Sequence, residues 1–319
     1  MSEKLKGNIP YLSWQVMIKV ENLSIKYGRR DTFAVKNLSF ELKDGEILGF
    51  VGLNGAGKTS TIRAIAGVLS PSSGHIIVDG HDLETEKVEA ALNIGWVPEI
   101  PNFEMDKRSI PTLLYYAGFY GIKGDRAKRI CSDVIRIVGL EESVKKKLRK
   151  YSQGMMKRFA IASAILHEPK NLLMDETLNG LDPEGMDFIT NFARGYRDKG
   201  NAVLLSTHIL DELEHLASRV LIIHKGELIE SVAMNRIRET SEHCLIVGAE
   251  PLDAKLKTIL EAHGSVKVAN NKFMIEDFVG TKSTVAEIDK ELSVSGYRVY
   301  SLEMKSKSLQ EYFMDKVKK

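Results

Sequence analysis

A glycine-rich segment between an apolar run and a helical pattern has the residue types and spacing needed to bind phosphate. Its pattern, at residues 52–59, is Gly, four residues, Gly, Lys and Thr. Glycines let backbone amides turn inward around a phosphate, the following helix N-terminus adds partial positive charge, and Lys58 can reach β- and γ-phosphate oxygens. Thr59 is placed to ligate Mg²⁺. The residues expected to contact a triphosphate are Gly52, Leu53, Asn54, Gly55, Ala56, Gly57, Lys58, Thr59 and Ser60. The alternative is a glycine-rich turn with a purely structural role.

Two adjacent carboxylates follow a second apolar run. The run at residues 171–174 ends in Asp175 and Glu176. A phosphate loop needs an acid for the metal and a group that activates water, so we expect Asp175 to hold the magnesium shell and Glu176 to face the attacking water. The alternative is an acidic strand end exposed to solvent.

Further motifs occur in an order that resembles the ATPases of the ATP-binding cassette (ABC) family. Tyr-Ser-Gln-Gly-Met at 151–155 resembles the family's Leu-Ser-Gly-Gly-Gln signature, and Gly-Leu-Asp-Pro at 180–183 resembles its D-loop. Glu99 stands in the family's Q-loop position, and His208 ends a strand as the switch histidine does. Tyr27 matches the aromatic residue that stacks on adenine.

The resemblance covers about residues 16–238 and implies an α/β fold of the P-loop NTPase class, with an antiparallel β subdomain and a helical subdomain. It also implies that two subunits face head to tail, so that ATP lies between the phosphate loop of one and the signature helix tip of the other. The implied catalytic residues are Lys58, Glu176 and His208. The implied Mg²⁺ ligands are Thr59, Glu99 and Asp175. The implied further contacts to ATP are Tyr27, Glu99, Ser152, Gly154 and Asp182.

Three positions depart from the family pattern. Glu99 replaces Gln, Gln153 replaces the first signature Gly, and Thr177 replaces Pro. Glu99 can still ligate Mg²⁺, but it adds negative charge beside the γ-phosphate. None of the three is expected to inactivate the site. For His208 the alternative is a core or capping histidine, and for Tyr27 an ordinary strand aromatic.

Composition excludes several function classes. The 319 residues include 45 Lys and Arg against 43 Asp and Glu, a net charge of +2, which argues against nucleic-acid binding driven by bulk charge. No apolar run approaches the ~18 residues that cross a bilayer, and the first residues lack the pattern of a secretory signal. We therefore expect a cytoplasmic protein. Two cysteines build no disulfide framework or paired-Cys metal motif, and we expect no metal other than Mg²⁺.

The element pattern predicts two folded parts. After strands at 16–20, 22–27 and 35–42, continuous apolar runs alternate with helices, which indicates a parallel sheet covered on both faces. Helices are predicted at 58–66, 112–120, 125–138, 155–166, 183–198 and 209–217. The pattern restarts near Thr240 with strands at 245–247, 266–268 and 273–275, a turn at Asn270-Asn271, and helices at 252–260 and 284–292. We predict an N-terminal extension at 1–15, the ABC ATPase domain at 16–239 and a small α+β accessory domain at 240–319.

Because the sequence shows neither a substrate pocket motif nor a membrane span, the energy of hydrolysis must be used elsewhere. The leading hypothesis is the ATPase subunit of an ABC transporter, a homodimer that docks a separate membrane permease through residues 100–121 at the inner face of the cell membrane. The alternative for this segment is a helical-subdomain core. The segment 308–313 resembles the closing motif of drug, antibiotic or polysaccharide exporter ATPases, although an amphipathic terminal helix would look the same. The alternative function is a soluble ABC ATPase in assembly, of the iron-sulfur type, or in another mechanical role.

Overall fold

The computed structural model describes residues 15–28, 32–240, 243–269, 272–278, 282–305 and 308–317. The chain divides into two compact units between Ser231 and Val232. Among the described residues, no helix has the length and apolar character that crossing a bilayer requires.

An antiparallel sheet forms one layer of the first unit. Its strands are β1 (Val16–Lys26), β2 (Phe33–Lys43), β4 (Ser73–Val78) and β5 (His81–Asp82), in the order β2-β1-β4-β5. The two strands predicted at 16–20 and 22–27 are one continuous strand. Asn22 has a φ of 51°, and the register with β2 is irregular between Val20 and Leu23. A left-handed Asn inside a strand therefore produces the break that the sequence suggested.

A six-stranded sheet forms the second layer and carries the site. Its strands are β3 (Ile47–Val51), β6 (Ile94–Val97), β7 (Asn171–Met174), β8 (Ala202–Ser206), β9 (Arg219–His224) and β10 (Glu227–Ala233), in the order β10-β9-β3-β8-β7-β6. The four neighbouring pairs β9-β3, β3-β8, β8-β7 and β7-β6 are parallel, as predicted. All residues of β3, β7 and β8 are buried, as expected for strands covered on both faces. Because these strands are parallel, the loops that follow them lie at the same edge of the sheet.

Helices connect these strands. They are α1 (Lys58–Ile65), α2 (Lys87–Ala91), α3 (Ser109–Phe119), α4 (Gly124–Ile137), α5 (Gln153–Ala164), α6 (Pro183–Arg197) and α7 (Leu210–Leu216). All six predicted helices are present within three residues at each end, and α2 was not predicted. Helix α6 begins as predicted, because Asp182 Oδ1 accepts from the Gly185 N–H at 3.0 Å and Pro183 takes the first position. Helices α3, α4 and α5 pack against one another as a helical subdomain.

The main core contains apolar residues of both sheets and of α1. Phe40 of the antiparallel sheet and Phe50 of β3 have ring centroids 5.9 Å apart, and Phe50, Ile62 and Leu204 are fully buried in the same cluster. Burying one such side chain stabilises the fold by about 1.5–3 kcal/mol. This packing fixes β3 and α1, and so fixes the phosphate-binding segment between them.

The second unit has its own core. Its elements are α8 (Met234–Thr240), β11 (His243–Glu250), α9 (Ala254–Glu261), β12 (Ser265–Ala269), β13 (Lys272–Phe278), α10 (Lys282–Val294), β14 (Arg298–Lys305) and α11 (Leu309–Val317). The antiparallel sheet has the order β12-β13-β11-β14, and Leu245, Leu256, Phe273 and Ile288 are in its core. This is the predicted α+β organisation. The predicted boundary at 239–240 lies at the end of α8, which groups with this unit. The predicted turn at Asn270-Asn271 lies outside the described residues.

Candidate active site

The segment between β3 and α1 has a conformation that depends on glycine. Gly55 and Gly57 have φ of 79° and 108°, in the region that side chains rarely adopt. A Cβ on Gly57 would lie 2.6 Å from the Ala34 carbonyl oxygen, and one on Gly52 would lie 2.7 Å from the Ile223 carbonyl oxygen. The loop therefore packs too tightly against its neighbours for any larger residue at these positions. It leads directly into the N-terminus of α1, where free amides can receive an anion.

Among the three residues predicted to be catalytic, Glu176 contacts both of the others. Lys58 Nζ donates to the Gly52 carbonyl oxygen at 2.7 Å and pairs with Glu176 Oε1 at 3.2 Å. The other oxygen, Glu176 Oε2, accepts from Asn179 Nδ2 at 2.9 Å and lies 3.1 Å from His208 Nδ1. Lys58 and Glu176 are buried, whereas the His208 side chain is 59% exposed. The loops after β3, β7 and β8 thus converge on one carboxylate.

A second buried carboxylate lies beside the first. Asp175 Oδ1 accepts from Ser206 Oγ at 2.8 Å and from Thr59 Oγ1 at 3.2 Å. Burial raises the pKa of Asp175, and these two hydrogen bonds oppose the rise. Ser206 Oγ also accepts from the Glu176 N–H at 2.9 Å, so it fixes both acids. The hydroxyl of Thr59 and the carboxylates of Asp175 and Glu99 are oxygen donors of the kind Mg²⁺ prefers.

Lys58, Glu176 and His208 line one cavity of about 510 Å³, together with Thr59 and Glu99. Tyr27, 44% exposed, lies at this cavity with its hydroxyl oxygen 3.0 Å from Ser60 Oγ. Of the residues predicted here, Gly52, Leu53 and Asp175 are not in the lining. Gly52 holds Lys58 through its carbonyl, and Asp175 contacts the lining residue Thr59. The lining comprises Tyr27, Ala34, Asn54, Gly55, Ala56, Gly57, Lys58, Thr59, Ser60, Glu99, Glu176, Asn179 and His208.

The other predicted nucleotide contacts lie on a different surface. Ser152, Gly154 and Asp182 line a cavity of about 620 Å³ that shares no residue with the first. Ser152 Oγ accepts from the Met155 N–H at 3.2 Å and caps α5. Within one chain, the predicted site residues are therefore divided between two surfaces, which we call the phosphate-loop cavity and the signature cavity.

Four residues of the site were not predicted. Asn179 is three residues after Glu176, and Ser206 is two residues before His208. This closeness in sequence to predicted catalytic residues could have identified both as site residues. Ala34 contributes its backbone and has no sequence signal. Lys157 contacts the loop after Glu176 from inside α5, and nothing in its spacing distinguishes it from a surface lysine.

One other group of possible metal ligands lies on the antiparallel sheet. His75, Asp82 and Glu84 place ligand atoms within 4.8 Å of one another, and His75 Nδ1 is 3.4 Å from Asp82 Oδ2. The His75 side chain is 63% exposed, and Asp82 Oδ1 accepts from the Glu84 N–H. We assign no ion to this group, and the expectation of no metal besides Mg²⁺ stays a prediction.

A parallel sheet with a phosphate loop after β3 and an acidic pair after β7 defines a P-loop nucleoside triphosphatase. The family model described as ABC transporter matches residues 35–179. The chain is 32% identical over 302 residues to the bacitracin transport ATP-binding protein BcrA of Bacillus licheniformis, covering 93% of this chain and 96% of that protein. It is 35% identical over 213 residues to the linearmycin resistance ATP-binding protein LnrL of Bacillus subtilis (strain 168), covering 67% and 68%.

The likeness extends to solved structures. The structure of an ATP-binding subunit of an ABC transporter aligns with a TM-score of 0.64 and 28% identity, covering 70% of this chain and 92% of that one. The chain belongs to the ABC transporter family. It is an ATP-binding, ATP-hydrolysing transporter subunit, as the resemblance implied.

Proposed function

We propose that this chain is the ATPase subunit of an exporter, that two copies enclose ATP, and that a separate integral membrane permease moves the cargo. Two relatives support export: one is named for bacitracin transport and the other for linearmycin resistance. Resistance that depends on transport requires movement out of the cell. In this arrangement the chain lies in the cytoplasm on the inner face of the cell membrane.

The division of the site between two cavities supports the dimer most strongly. The phosphate-loop cavity contains the cationic and acidic groups, whereas the signature cavity contains Ser152, Gly154 and Asp182. Because the two cavities of one chain share no residue, one subunit cannot bind a single triphosphate with both of them at once. A second copy, related by two-fold symmetry, brings its signature cavity to the first copy's phosphate loop and completes two equal sites.

ATP binding then has a definite local consequence for Lys58. Its ammonium group is bound by Glu176 Oε1 and the Gly52 carbonyl. A γ-phosphate carries more charge than a carboxylate, so it competes for Lys58 and releases one oxygen of Glu176. That oxygen becomes available to accept the proton of the attacking water, while Asn179 and His208 keep the other oxygen oriented.

Mg²⁺ fits the oxygen donors of Thr59, Asp175 and Glu99. When bound there, it supplies positive charge that neutralises the β- and γ-phosphates. Ser206 holds Asp175 in place for this role through its 2.8 Å hydrogen bond. Glu99 contributes a carboxylate where the family has an amide, which makes the site more negative and its affinity for the metal more dependent on ionic strength.

Helix α3 offers a surface for the permease. Leu113 and Ala117 are fully buried on one side of this helix, whereas Tyr115 and Phe119 are 66% and 70% exposed on the other. Their rings make an edge-to-face contact with centroids 5.0 Å apart, and Ile100 is 80% exposed in the same predicted segment. The two interpretations of residues 100–121 thus apply to different faces, and the exposed aromatic face is suited to an apolar partner helix.

Copurification tests this function. Membranes containing the permease should be captured by the tagged parent chain, and Tyr115→Asp together with Phe119→Asp should reduce capture at least about tenfold, because charges replace apolar contacts. Ile137→Asp is a matched control, since Ile137 is also exposed on a helix of this subdomain. Equal capture by the parent and the double variant would reject this docking face. If no protein with membrane spans is captured by the parent, the transport assignment of this chain is wrong.

A further inference from the structure

Lys157 lies in α5, in the second turn after Ser152, and its ammonium group is buried. The residue is 3% exposed, and Nζ donates to three backbone carbonyl oxygens. These belong to Glu176 at 3.1 Å, Thr177 at 2.8 Å and Asn179 at 2.9 Å. All three donors of the ammonium are therefore used on one loop, which we call the acid loop (residues 176–180).

The acid loop requires such a partner because of its shape and burial. Glu176 has a φ of 46°, a left-handed conformation that is costly for a residue with a side chain. Thr177 is fully buried and Glu176 is 6% exposed. Carbonyl groups buried without a donor destabilise the fold, so the loop needs a buried donor to keep this turn.

A second contact joins α5 to the other end of the acid loop. A Cβ on Gly180 would lie 2.5 Å from Gln153 Nε2, so the Gln153 side chain lies directly over Gly180. Gly180 has a φ of 69° and accommodates this close approach. Gln153 is the residue that replaces glycine in the signature, so this departure adds a contact between the α5 tip and the acid loop.

The charge of Lys157 fits its surroundings. Burial lowers the pKa of Lys157, while the carboxylates of Glu99 and Glu176 oppose that fall. Three carbonyl dipoles and two nearby acids favour the cation, and a neutral side chain of the same length would leave the carbonyls unsatisfied.

We propose that Lys157 is a positioning residue for ATP hydrolysis: it holds the acid loop so that the Glu176 carboxylate is aimed, and it links that carboxylate to the helix whose tip carries Ser152 and Gly154. Within each subunit, one side chain then joins the helix tip that binds one ATP to the acid that takes the proton of the water attacking the other ATP. This inference rests on the proposed role of Glu176.

The test compares three variants of the full-length chain in steady-state ATP hydrolysis and in equilibrium binding of a fluorescent ATP analogue. Lys157→Met removes the donors and keeps the length, Lys157→Arg keeps a cation, and Lys128→Met is the control at an exposed lysine of α4. We expect Lys157→Met to lower kcat by about ten- to a hundredfold through misplacement of Glu176, with the analogue's Kd changed less than about threefold. Lys157→Arg should recover most of the lost kcat, and Lys128→Met should match the parent.

Amide hydrogen exchange gives a readout independent of turnover. In Lys157→Met, peptides containing residues 176–180 should exchange faster, while peptides of residues 52–60 keep the parent rate. If Lys157→Met does not fold, Lys157→Gln, which keeps an amide donor, is measured in its place with the same expected split between kcat and Kd.

Several results would overturn the proposal. They are a kcat within about twofold of the parent, a loss confined to KM and Kd, or acid-loop exchange equal to that of the parent. Failure of Lys157→Arg to restore kcat would also reject it in favour of packing. Glu176→Gln distinguishes a failure of this inference from a failure of the proposed role of Glu176. If that variant hydrolyses ATP at the parent rate, the assignment of Glu176 is wrong; if it is inactive while Lys157→Met is fully active, only the inference about Lys157 is wrong.

Discussion

Glu176 receives contacts from Lys58, Asn179 and His208, which fit the role in hydrolysis proposed for its carboxylate. Glu176→Gln keeps the size of the side chain but removes its capacity to take a proton. We expect turnover to fall at least about a hundredfold. ATP affinity should be kept or raised, because Lys58 loses a competing anion. Phosphate release and fluorescent-ATP titration measure the two effects. Glu86→Gln, at an exposed acid, is the control, and phosphate release at the parent rate would remove Glu176 from the catalytic role.

The buried charge of Asp175 lowers the free energy of unfolding relative to an uncharged residue at the same position. Its burial raises its pKa above 3.8, so between 3.8 and the raised value the folded state holds a proton that the unfolded chain has lost. Stability therefore falls as pH rises through this window. Asp175→Asn can still accept the hydrogen bonds of Ser206 and Thr59 without charge. We expect a higher Tm at neutral pH in nucleotide-free protein with EDTA, together with loss of Mg²⁺-dependent hydrolysis. A Tm below that of the parent would contradict this reasoning.

Much of the site could be predicted from residue types at fixed spacing. Lys58, Thr59, Asp175 and Glu176 follow from the chemistry of a triphosphate, and the structure brings them together. The contact of Lys58 with Glu176 could not be predicted, because it depends on β3 and β7 each pairing with β8 in the same sheet.

His167 joins two elements of the first unit. Its Nε2 lies 3.1 Å from the Ile94 carbonyl oxygen of β6, and its ring stacks on Tyr120, just after α3, with centroids 3.9 Å apart. Burial lowers the pKa of His167 from 6.5 to about 4. Between these values the unfolded chain binds a proton that the folded state does not, so stability is lost as pH falls. The loss reaches at most about 3 kcal/mol.

His167→Gln should flatten the decline of Tm between pH 6.5 and about 4, whatever it does to Tm at neutral pH. Thermal unfolding monitored by circular dichroism over this range measures the slope. His215→Gln is the control, because His215 is exposed on α7. A slope equal to that of the parent would show that His167 is not the group that titrates.

The elements differ in how well the sequence predicts them. Strands β3, β7 and β8 are continuous apolar runs, and burial on both faces requires that pattern. Strand β14 mixes exposed Tyr300 and Met304 with partly buried neighbours and pairs with β11, some fifty residues away, so its pattern alone was not sufficient. Strand β1 is continuous across Asn22, where the sequence predicts a break between two strands. The left-handed conformation of Asn22 inside the strand cannot be predicted from the residue types alone.

At the scale of the whole molecule, the two separate cavities of one chain are the basis of the proposal that a second copy completes the site. Ser152 caps α5 at the signature cavity, and an arginine there would project into the space that a partner's γ-phosphate must occupy. We therefore expect Ser152→Arg to bind ATP at its own phosphate loop with parent affinity and to lose hydrolysis. Loss of binding in the same proportion would instead indicate damage to the fold.

The molar mass of Glu176→Gln in saturating Mg²⁺-ATP, measured by light scattering, tests the central claim most directly. We predict twice the 35.7 kDa of one chain with ATP, 35.7 kDa without nucleotide, and 35.7 kDa with ATP when Ser152→Arg is added. A chain that stays monomeric with ATP bound, or a dimer unaffected by Ser152→Arg, would contradict the proposal that two copies hold one triphosphate between them.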